Sequence, residues 1–238
     1  MGLARAVGAA ALLGALATAA AAAQASDERA AERLEMVEQQ IVARGVRDEA
    51  TLQAMRTVPR HEFVAETLAT AAYRDHSLPI GLGQAISQPY IVAYETELIQ
   101  PRKGLKVLEV GTGSGYQAAV LAAAGCTVYT IEIFGELAGS ARRRLERLDY
   151  RGVSVRHGDG NFGWPEQAPF DAILVTAAAT YVPPSLVQQL KPGGRMVIPV
   201  GSMYGAQNLL QVDKDSAGKV RTRILLPVAF VPMLNGLH

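Results

Sequence analysis

The chain has little cysteine and almost no excess charge, and each shortage excludes a class of protein. Among 238 residues there is one cysteine, Cys126, so an internal disulfide framework and a cysteine-rich zinc site are excluded. Lys and Arg number 23 against 22 Asp and Glu, a net charge of +1 that does not favour a strongly basic nucleic-acid-binding protein. No metal site is expected, because the four histidines lack metal-ligand spacing. Hydrophobic residues make up 49% of the chain, enough for a sizeable core.

The first 25 residues differ from the rest. One charged residue, Arg5, is followed by an apolar run and the small-residue sequence AQA at positions 23–25. This three-part pattern is typical of a secretory signal peptide, with cleavage before Ser26. A membrane anchor is the alternative, since the run is nearly long enough to span a bilayer. A translation start near Met36 is a further alternative, in which residues 1–25 are not part of the protein. Cleavage predicts a periplasmic or exported protein, with a cytoplasmic location as the alternative.

Residues 26–238 are predicted to form a single domain in two parts. Apolar residues at helical spacing predict two helices over residues 27–56, interrupted at Gly45, with Asp48 as the N-cap of the second. Residues 74–90 contain two prolines and two glycines and are interpreted as an ordered loop. A further helix is expected over residues 92–99. Residues 26–100 would thus be a helical extension that carries an active-site loop.

From residue 104 to residue 238, strands and helices are predicted to alternate. The expected strands are residues 106–110, 127–133, 153–157, 171–176 and 195–200. This alternation predicts an α/β fold with a Rossmann-like, doubly wound and mostly parallel sheet, covered on both faces. Residues 208–212 and 220–231 flank a turn-rich cluster and predict an antiparallel C-terminal hairpin.

A candidate ligand site begins where the first predicted strand ends. There, Glu109 is followed by three glycines, Gly111, Gly113 and Gly115, and then by a predicted helix. Glycines permit a tight turn and a close approach of ligand to backbone N–H groups, and the helix N-terminus adds a positive dipole end. Read alone, such a turn is a weak signal, and a plain strand–helix connection is the alternative.

Acidic residues end the next two predicted strands. Glu132 follows Gly111 by 21 residues, the spacing at which an adenosine-binding fold places an acid for the ribose hydroxyls. Asp159, followed by Gly160, ends the third strand on the same sheet edge, where its carboxylate could accept from the adenine amino group. Either acid alone would be interpreted as a solvated strand-end charge. Three signals at successive strand ends predict one shared site.

The spacing of the glycines narrows the choice of ligand. A dinucleotide fingerprint requires Gly or Ala at position 116, where this chain has Tyr116. A Walker phosphate loop is excluded, because no Gly-Lys-Ser/Thr follows. The E-x-G-x-G-x-G spacing instead resembles the first motif of class I S-adenosylmethionine-dependent methyltransferases, and this resemblance implies S-adenosyl-L-methionine as the cofactor.

A closer resemblance covers roughly residues 34–234. It rests on LPIGLGQAISQPY at 78–90, VLEVGTGSGYQ at 107–117, HGDG at 157–160 and LKPGGR at 190–195. Together these segments resemble protein-L-isoaspartate O-methyltransferases, and the Ile-Ser-Gln-Pro stretch is the most specific of them. The resemblance implies methyl transfer to the free carboxylate of L-isoaspartyl residues in damaged peptides and proteins. Repair would then proceed through a succinimide.

The motif match also implies roles for individual residues. Ser87 falls on the family's active-site serine, and substrate contacts are expected from Ile80, Ile86 and Ser87. Cofactor contacts are expected from Gln84, Ala85, Ile86, Ser87, Glu109, Gly111, Gly113, Gly115, Glu132, Asp159 and Gly160. The family usually has Thr where this chain has Ala85, so any hydroxyl contact from that position is missing. A carboxylate substrate is already ionised at neutral pH, so no strong base is required.

Two other functions fit parts of the sequence. A methyltransferase acting on nucleic acid or a small molecule would share the cofactor motifs. Residues 176–179, TAAA, nevertheless lack the Asn/Asp-Pro-Pro-aromatic motif of many base-amine methyltransferases. A non-catalytic, exported adenosine-ligand-binding protein would account for a signal peptide. We expect a monomer that binds isoaspartyl substrates, with no nucleic-acid partner and no membrane association after cleavage.

Overall fold

The computed structural model describes residues 29–202 and 205–236 of the chain, so the predicted signal peptide lies outside the described residues. The helices are α1 (Ala30–Met36), α2 (Glu49–Thr57), α3 (Pro89–Leu98), α4 (Tyr116–Ala123), α5 (Gly135–Arg147) and α6 (Pro184–Gln189). The strands are β1 (Leu78–Gly81), β2 (Gln84–Ile86), β3 (Lys106–Val110), β4 (Thr127–Glu132), β5 (Val153–His157), β6 (Phe170–Val175), β7 (Leu190–Gly201), β8 (Gln207–Lys214) and β9 (Val220–Val228). None of the helices in these two described ranges is long and apolar enough to cross a bilayer.

Strands β3 to β9 form one sheet in the order β5-β4-β3-β6-β7-β8-β9. In this order, neighbouring strands from β5 to β7 are parallel. Strand β8 pairs antiparallel with both β7 and β9. The predicted doubly wound sheet with a C-terminal hairpin is therefore confirmed. The chain leaves β3 toward β4 on one side and returns to β6 on the other. A crevice consequently opens at the carboxyl ends of β3 and β6, where such folds bind ligands.

The central strands are mostly apolar because helices cover both faces of the sheet. Val107 and Leu108 of β3, and Ile173 and Leu174 of β6, are completely buried. Strands β3 and β5 have the bounds predicted from sequence. Strand β7 begins five residues earlier than predicted, at Leu190, which pairs with Phe170. The strand passes through the Pro and Gly residues at 192–194 with an irregular register.

The N-terminal helices pack against other helices, and α2 contacts both α3 and α4. Helix α1 continues through a wider turn over Val37–Ile41 and a tight turn over Val42–Arg44, and Gly45 then ends it. Asp48 caps α2 as predicted, because its Oδ1 accepts from Thr51 N at 2.7 Å. The extension is part of the core, since residues of α1 and α2 share a buried cluster with α4.

The interpretation of residues 74–90 as a loop needs correction. Residues 78–86 form an antiparallel hairpin, β1–β2, in which Leu78 pairs with Ile86. Gly81 and Gly83 take positive φ angles of 93° and 70° at its tip, so the glycines that suggested a loop make the tight turn. Strands of four and three residues are too short to show an alternating pattern in the sequence.

Candidate active site

Six of the eleven predicted cofactor residues converge on a cavity at the carboxyl ends of β3, β4 and β6. The sequence-predicted residues that line it are Ile80, Gln84, Ala85, Gly111, Gly113, Glu132 and Gly160. The chain segments after β3, β4 and β5 therefore meet at one place, as parallel strands require. Hairpin β1–β2 covers the cavity through Ile80, and Thr176 follows from the end of β6.

Gly111 makes the turn out of β3 and has no space for a side chain. Its φ angle is +102°, and a Cβ atom built there would lie 2.4 Å from Thr176 Oγ1. That hydroxyl donates to the Gly111 carbonyl oxygen at 2.7 Å, so the two loops are held directly against each other. A larger residue would separate them and fill the cavity. The glycine is thus required by the site's shape as well as by the backbone conformation.

Glu132 has a geometry that suits a ribose. The side chain is almost completely buried, and each carboxylate oxygen accepts one backbone N–H. Oε2 accepts from Gly113 at 2.7 Å and Oε1 accepts from Phe134 at 3.0 Å. A carboxylate oxygen carries two lone pairs, so each oxygen keeps one acceptor position. Two acceptors side by side match two vicinal hydroxyl groups.

Asp159 does not line the cavity, although Gly160 does. Oδ1 of Asp159 accepts from Asn161 N and Nδ2, both at 2.9 Å, and Oδ2 accepts from Gly236 N at 2.9 Å. Burial acts to raise the pKa of Asp159, but the bonds from Asn161 and Gly236 outweigh it and hold the pKa below its ordinary value. The carboxylate therefore ties the C-terminal segment to the turn after β5. A contact with adenine, which stays a prediction, would use the remaining acceptor position on Oδ2.

The C-terminal segment is a part of the cavity that the sequence analysis missed. Residues 231–234 line it, and the Leu234 carbonyl accepts from Asn161 Nδ2 at 3.0 Å. The nearest sequence signal is the apolar run that continues after the last predicted strand. Nothing in that run predicted ligand contact.

Glu109, Gly115 and Ile86 also lie away from this cavity. Val110 lines it, and since successive side chains of a strand point to opposite faces, Glu109 points away into the core. Gly115 packs against α5, where an added Cβ would lie 3.3 Å from Leu145. Ile86 is buried in the core cluster of the helical extension. Their predicted ligand contacts therefore stay predictions.

Ser87 lies in a second cavity next to the first. This cavity is lined by Asp75, His76, Ser87, Gln88, Ile91 and the segment from Pro227 to Val231, among others. Ala85, Thr176 and Val231 line both cavities and so form the wall between them. In the described ranges, no group of three or more His, Cys, Asp or Glu side chains could hold a metal ion.

The backbone around Ser87 is fixed by Asp75. Gln88 Nε2 donates to the Asp75 carboxylate at 2.8 Å and to its carbonyl oxygen at 3.1 Å. Arg44 forms an ion pair with the same carboxylate, and its guanidinium lies 4.9 Å from the centre of the Tyr90 ring. These contacts hold the chain in place on both sides of the Gln88–Pro89 peptide bond. Ser87 is thereby presented to the second cavity on a rigid support.

The fold is that of a class I S-adenosylmethionine-dependent methyltransferase, which is the class that the glycine spacing indicated. A solved structure named protein-L-isoaspartate O-methyltransferase superposes with a TM-score of 0.77 and is 29% identical. The superposition covers 85% of this chain and 66% of that one.

A model of the protein-L-isoaspartate(D-aspartate) O-methyltransferase family matches residues 31–238. Protein-L-isoaspartate O-methyltransferase 2 of a Polaromonas species is 58% identical over 78% of this chain and 88% of its own length. The protein-L-isoaspartate O-methyltransferase of Opitutus terrae is 56% identical, over 88% of this chain and 91% of its own. The chain belongs to the protein-L-isoaspartate(D-aspartate) O-methyltransferase family, which confirms the resemblance. It is an enzyme that methylates isoaspartyl residues with S-adenosyl-L-methionine as methyl donor.

Proposed function

We propose that the two adjoining cavities divide the reaction, the first binding S-adenosyl-L-methionine and the second binding the isoaspartyl residue that Ser87 holds. The observation that carries this proposal is the common wall of Ala85, Thr176 and Val231. A methyl group carried in one cavity can reach a carboxylate in the other only past this wall. The functional residues of both cavities then serve one transfer.

The lining of the first cavity suits S-adenosyl-L-methionine. Glu132 would accept from the two ribose hydroxyls with its free lone pairs. Gly111 and Gly160 leave space, since a Cβ at Gly160 would lie 2.3 Å from Val110 Cγ1. Apolar side chains of the C-terminal segment, including Met233 and Leu234, would cover the ligand. When bound, the cofactor supplies a methyl group made electrophilic by a positively charged sulfur.

Ser87 would orient the substrate carboxylate without neutralising it. A hydroxyl can donate one hydrogen bond to one carboxylate oxygen and leave the other free to attack. None of the described residues that line the second cavity is Lys or Arg, whose full charge would weaken the nucleophile. Ile91 and Phe230 contribute apolar surface that reduces access of water. Alignment in a dry site is the principal requirement, because the nucleophile arrives already ionised.

The product explains why methylation begins a repair. A methyl ester has a much better leaving group than a carboxylate, so the neighbouring backbone nitrogen can attack it and expel methanol. The resulting succinimide hydrolyses in part to a normal aspartyl residue. These later steps need no further group from the protein.

The test of this function compares two isomeric peptides. The protein is incubated with labelled S-adenosyl-L-methionine and either an isoaspartyl peptide or its aspartyl isomer, with bulk RNA as a third substrate. We expect label in the isoaspartyl peptide alone. Equal or absent methylation of the two peptides contradicts the proposal, labelled RNA revives a nucleic-acid substrate, and cofactor binding without turnover supports a binding protein.

We also propose that residues 1–25 are a signal peptide and that the mature enzyme is a periplasmic or exported monomer. The apolar run followed by AQA at 23–25 supports this. The N-terminal residue of protein isolated from its host is the measurement. Ser26 agrees with export, whereas Met1 or a start near Met36 contradicts it and favours the cytoplasm. Gel filtration of the mature protein tests the monomer.

A further inference from the structure

One edge of the main sheet is open and leads to the second cavity. Strand β9 pairs with β8 alone among the described strands, and its first five residues, 220–224, are all exposed. At its other end, β9 reaches Pro227 and Val228, which line the cavity that Ser87 also lines. A chain bound in that cavity can therefore continue along the open edge of β9.

The outer edge of β9 offers main-chain groups for pairing. In the turn before β9, Asp215 N donates to the Lys219 carbonyl at 2.9 Å, and the register of β8 and β9 places these two residues opposite each other. Bonded pairs alternate with non-bonded pairs along an antiparallel ladder, so the main chain of Arg221 bonds to β8. Val220 and Thr222 direct their N–H and C=O groups away from β8. An extended peptide can pair with these groups as an added strand.

The same stretch carries positive charge without a matching acid. Arg221 and Arg223 are exposed, and neither forms an ion pair with a carboxylate of the described residues. Arg223 donates to the Gln211 amide oxygen at 2.9 Å. Asp213 lies opposite Arg221 in the register, but its carboxylate accepts from Arg195 at 2.8 Å. Three arginines thus share one aspartate, and the surface attracts an acidic partner.

A second copy of the chain does not suit this edge. Antiparallel pairing of two β9 strands about Thr222 would place Arg221 of each copy opposite Arg223 of the other, and like charges directly opposite each other destabilise a sheet. Protection of the edge against aggregation is another use of charge at these positions. That use alone predicts no dependence of the reaction on the sequence of the substrate.

We propose that the outer edge of β9 is a docking surface for the flank of the substrate polypeptide, which adds as a strand and places acidic side chains against Arg221 and Arg223. The proposal rests on the proposed role of the second cavity. Arg223 precedes Pro227 by four residues and Arg221 precedes it by six. These separations correspond to about 13 Å and about 20 Å along a strand. Acidic residues are therefore expected four and six positions from the isoaspartyl residue.

Long peptides with a central isoaspartyl residue test the proposal. They carry either two glutamates or two glutamines at the fourth and sixth positions, on the amino or on the carboxyl side. For wild type at low ionic strength, we expect the glutamate peptide of one side to have a KM about three- to tenfold below that of its glutamine counterpart, with the same kcat. The double variant Arg221→Gln, Arg223→Gln should lose this ratio. The control Arg143→Gln, Arg151→Gln removes two exposed charges elsewhere and should keep it.

Two results in these assays would overturn the proposal. One is an equal KM for glutamate and glutamine peptides on both sides in wild type, and the other is a ratio that survives in the Arg221/Arg223 variant. N-methylation of the peptide main chain tests the added strand, because every second N–H of such a strand faces β9. Methyl groups at alternate flank positions should raise KM, and those at the intervening positions should not. A uniform effect would contradict strand pairing.

Calorimetric titration with the aspartyl isomer of the glutamate peptide separates the docking surface from the reaction, since this isomer is not a substrate under the proposed function. Weaker binding by the Arg221/Arg223 variant than by the control supports the docking surface. If that result comes with no methylation of any isoaspartyl peptide, the proposed function fails and the surface does not. Equal binding by variant and control, or no binding by wild type, would overturn the proposal.

Discussion

Glu132→Gln separates the ligand role of this residue from its structural role. The substitution preserves the shape of the side chain but removes its charge and one of its two acceptor oxygens. In the native site, Gly113 N and Phe134 N each donate to a different oxygen, at 2.7 Å and 3.0 Å. In the variant, one of these N–H groups must face an NH₂ group, which cannot accept. The turn therefore loses one anchor whichever way the amide is oriented.

The size of the effect follows from the bonds that are lost. A hydrogen bond to a charged group contributes roughly 1.5–3 kcal/mol. One such bond is lost from the backbone anchors of Glu132 and lowers the free energy of unfolding by about that amount. A second is lost from the ribose under the proposed role, which corresponds to a rise of about 10- to 150-fold in the dissociation constant. Deep burial of the carboxylate argues for the upper half of this range.

Calorimetric titration with S-adenosylhomocysteine measures the binding effect, and urea unfolding of the same samples measures the structural one. Glu136→Gln is the control, because it removes the same charge four residues later from an exposed position. The control should bind within about twofold of wild type. If folded Glu132→Gln also binds within about threefold, the assignment of Glu132 to the ribose is refuted. An equal loss in both variants would indicate a long-range effect of charge instead.

Three further substitutions test other parts of the site. Ser87→Ala should lower kcat by at least about tenfold, while affinity for S-adenosylhomocysteine stays within about twofold, and an unchanged kcat would contradict the role of the hydroxyl. Asp75→Asn removes the ion pair with Arg44, so KM for an isoaspartyl peptide should rise in initial-rate measurements. A loss confined to cofactor affinity would contradict the placement of Asp75 at the substrate cavity. Gly160→Ala introduces a Cβ that would lie 2.3 Å from its nearest neighbour and should weaken S-adenosylhomocysteine binding in calorimetry. Gly152→Ala, where nothing lies within 4 Å, should not.

The sheet could be predicted from sequence because its signals are local. The largely apolar run at 106–110 and the glycines that follow determine a strand, a turn and a helix between residues 106 and 123. Glu132 could be assigned to the same edge because parallel strands end together. These inferences need only periodicity, turn chemistry and the connection rule of βαβ units.

The remaining features depend on contacts between distant parts of the chain. Asp159 accepts from Gly236, 77 residues later, and no local pattern predicts that bond. The direction of the Glu109 side chain follows from which face of β3 the cavity uses, and the glycine motif alone does not specify it. The burial of Ile86 was equally hard to predict, since the sequence of a short hairpin strand does not reveal which of its side chains enters the core.

The wall between the cavities contains Ala85, where the family usually has Thr. This difference affects how much the reaction depends on Ser87. Ala85 contributes no hydroxyl there, and the Thr176 hydroxyl has its single hydrogen committed to the Gly111 carbonyl at 2.7 Å. Orientation of the substrate carboxylate would then depend on Ser87 more heavily than in a relative that has Thr at this position. Ala85→Thr supplies a second donor at the wall, so Ser87→Ala should reduce kcat by a smaller factor in that background. A double-mutant cycle measures this directly, and identical factors in the two backgrounds would show that position 85 does not reach the carboxylate.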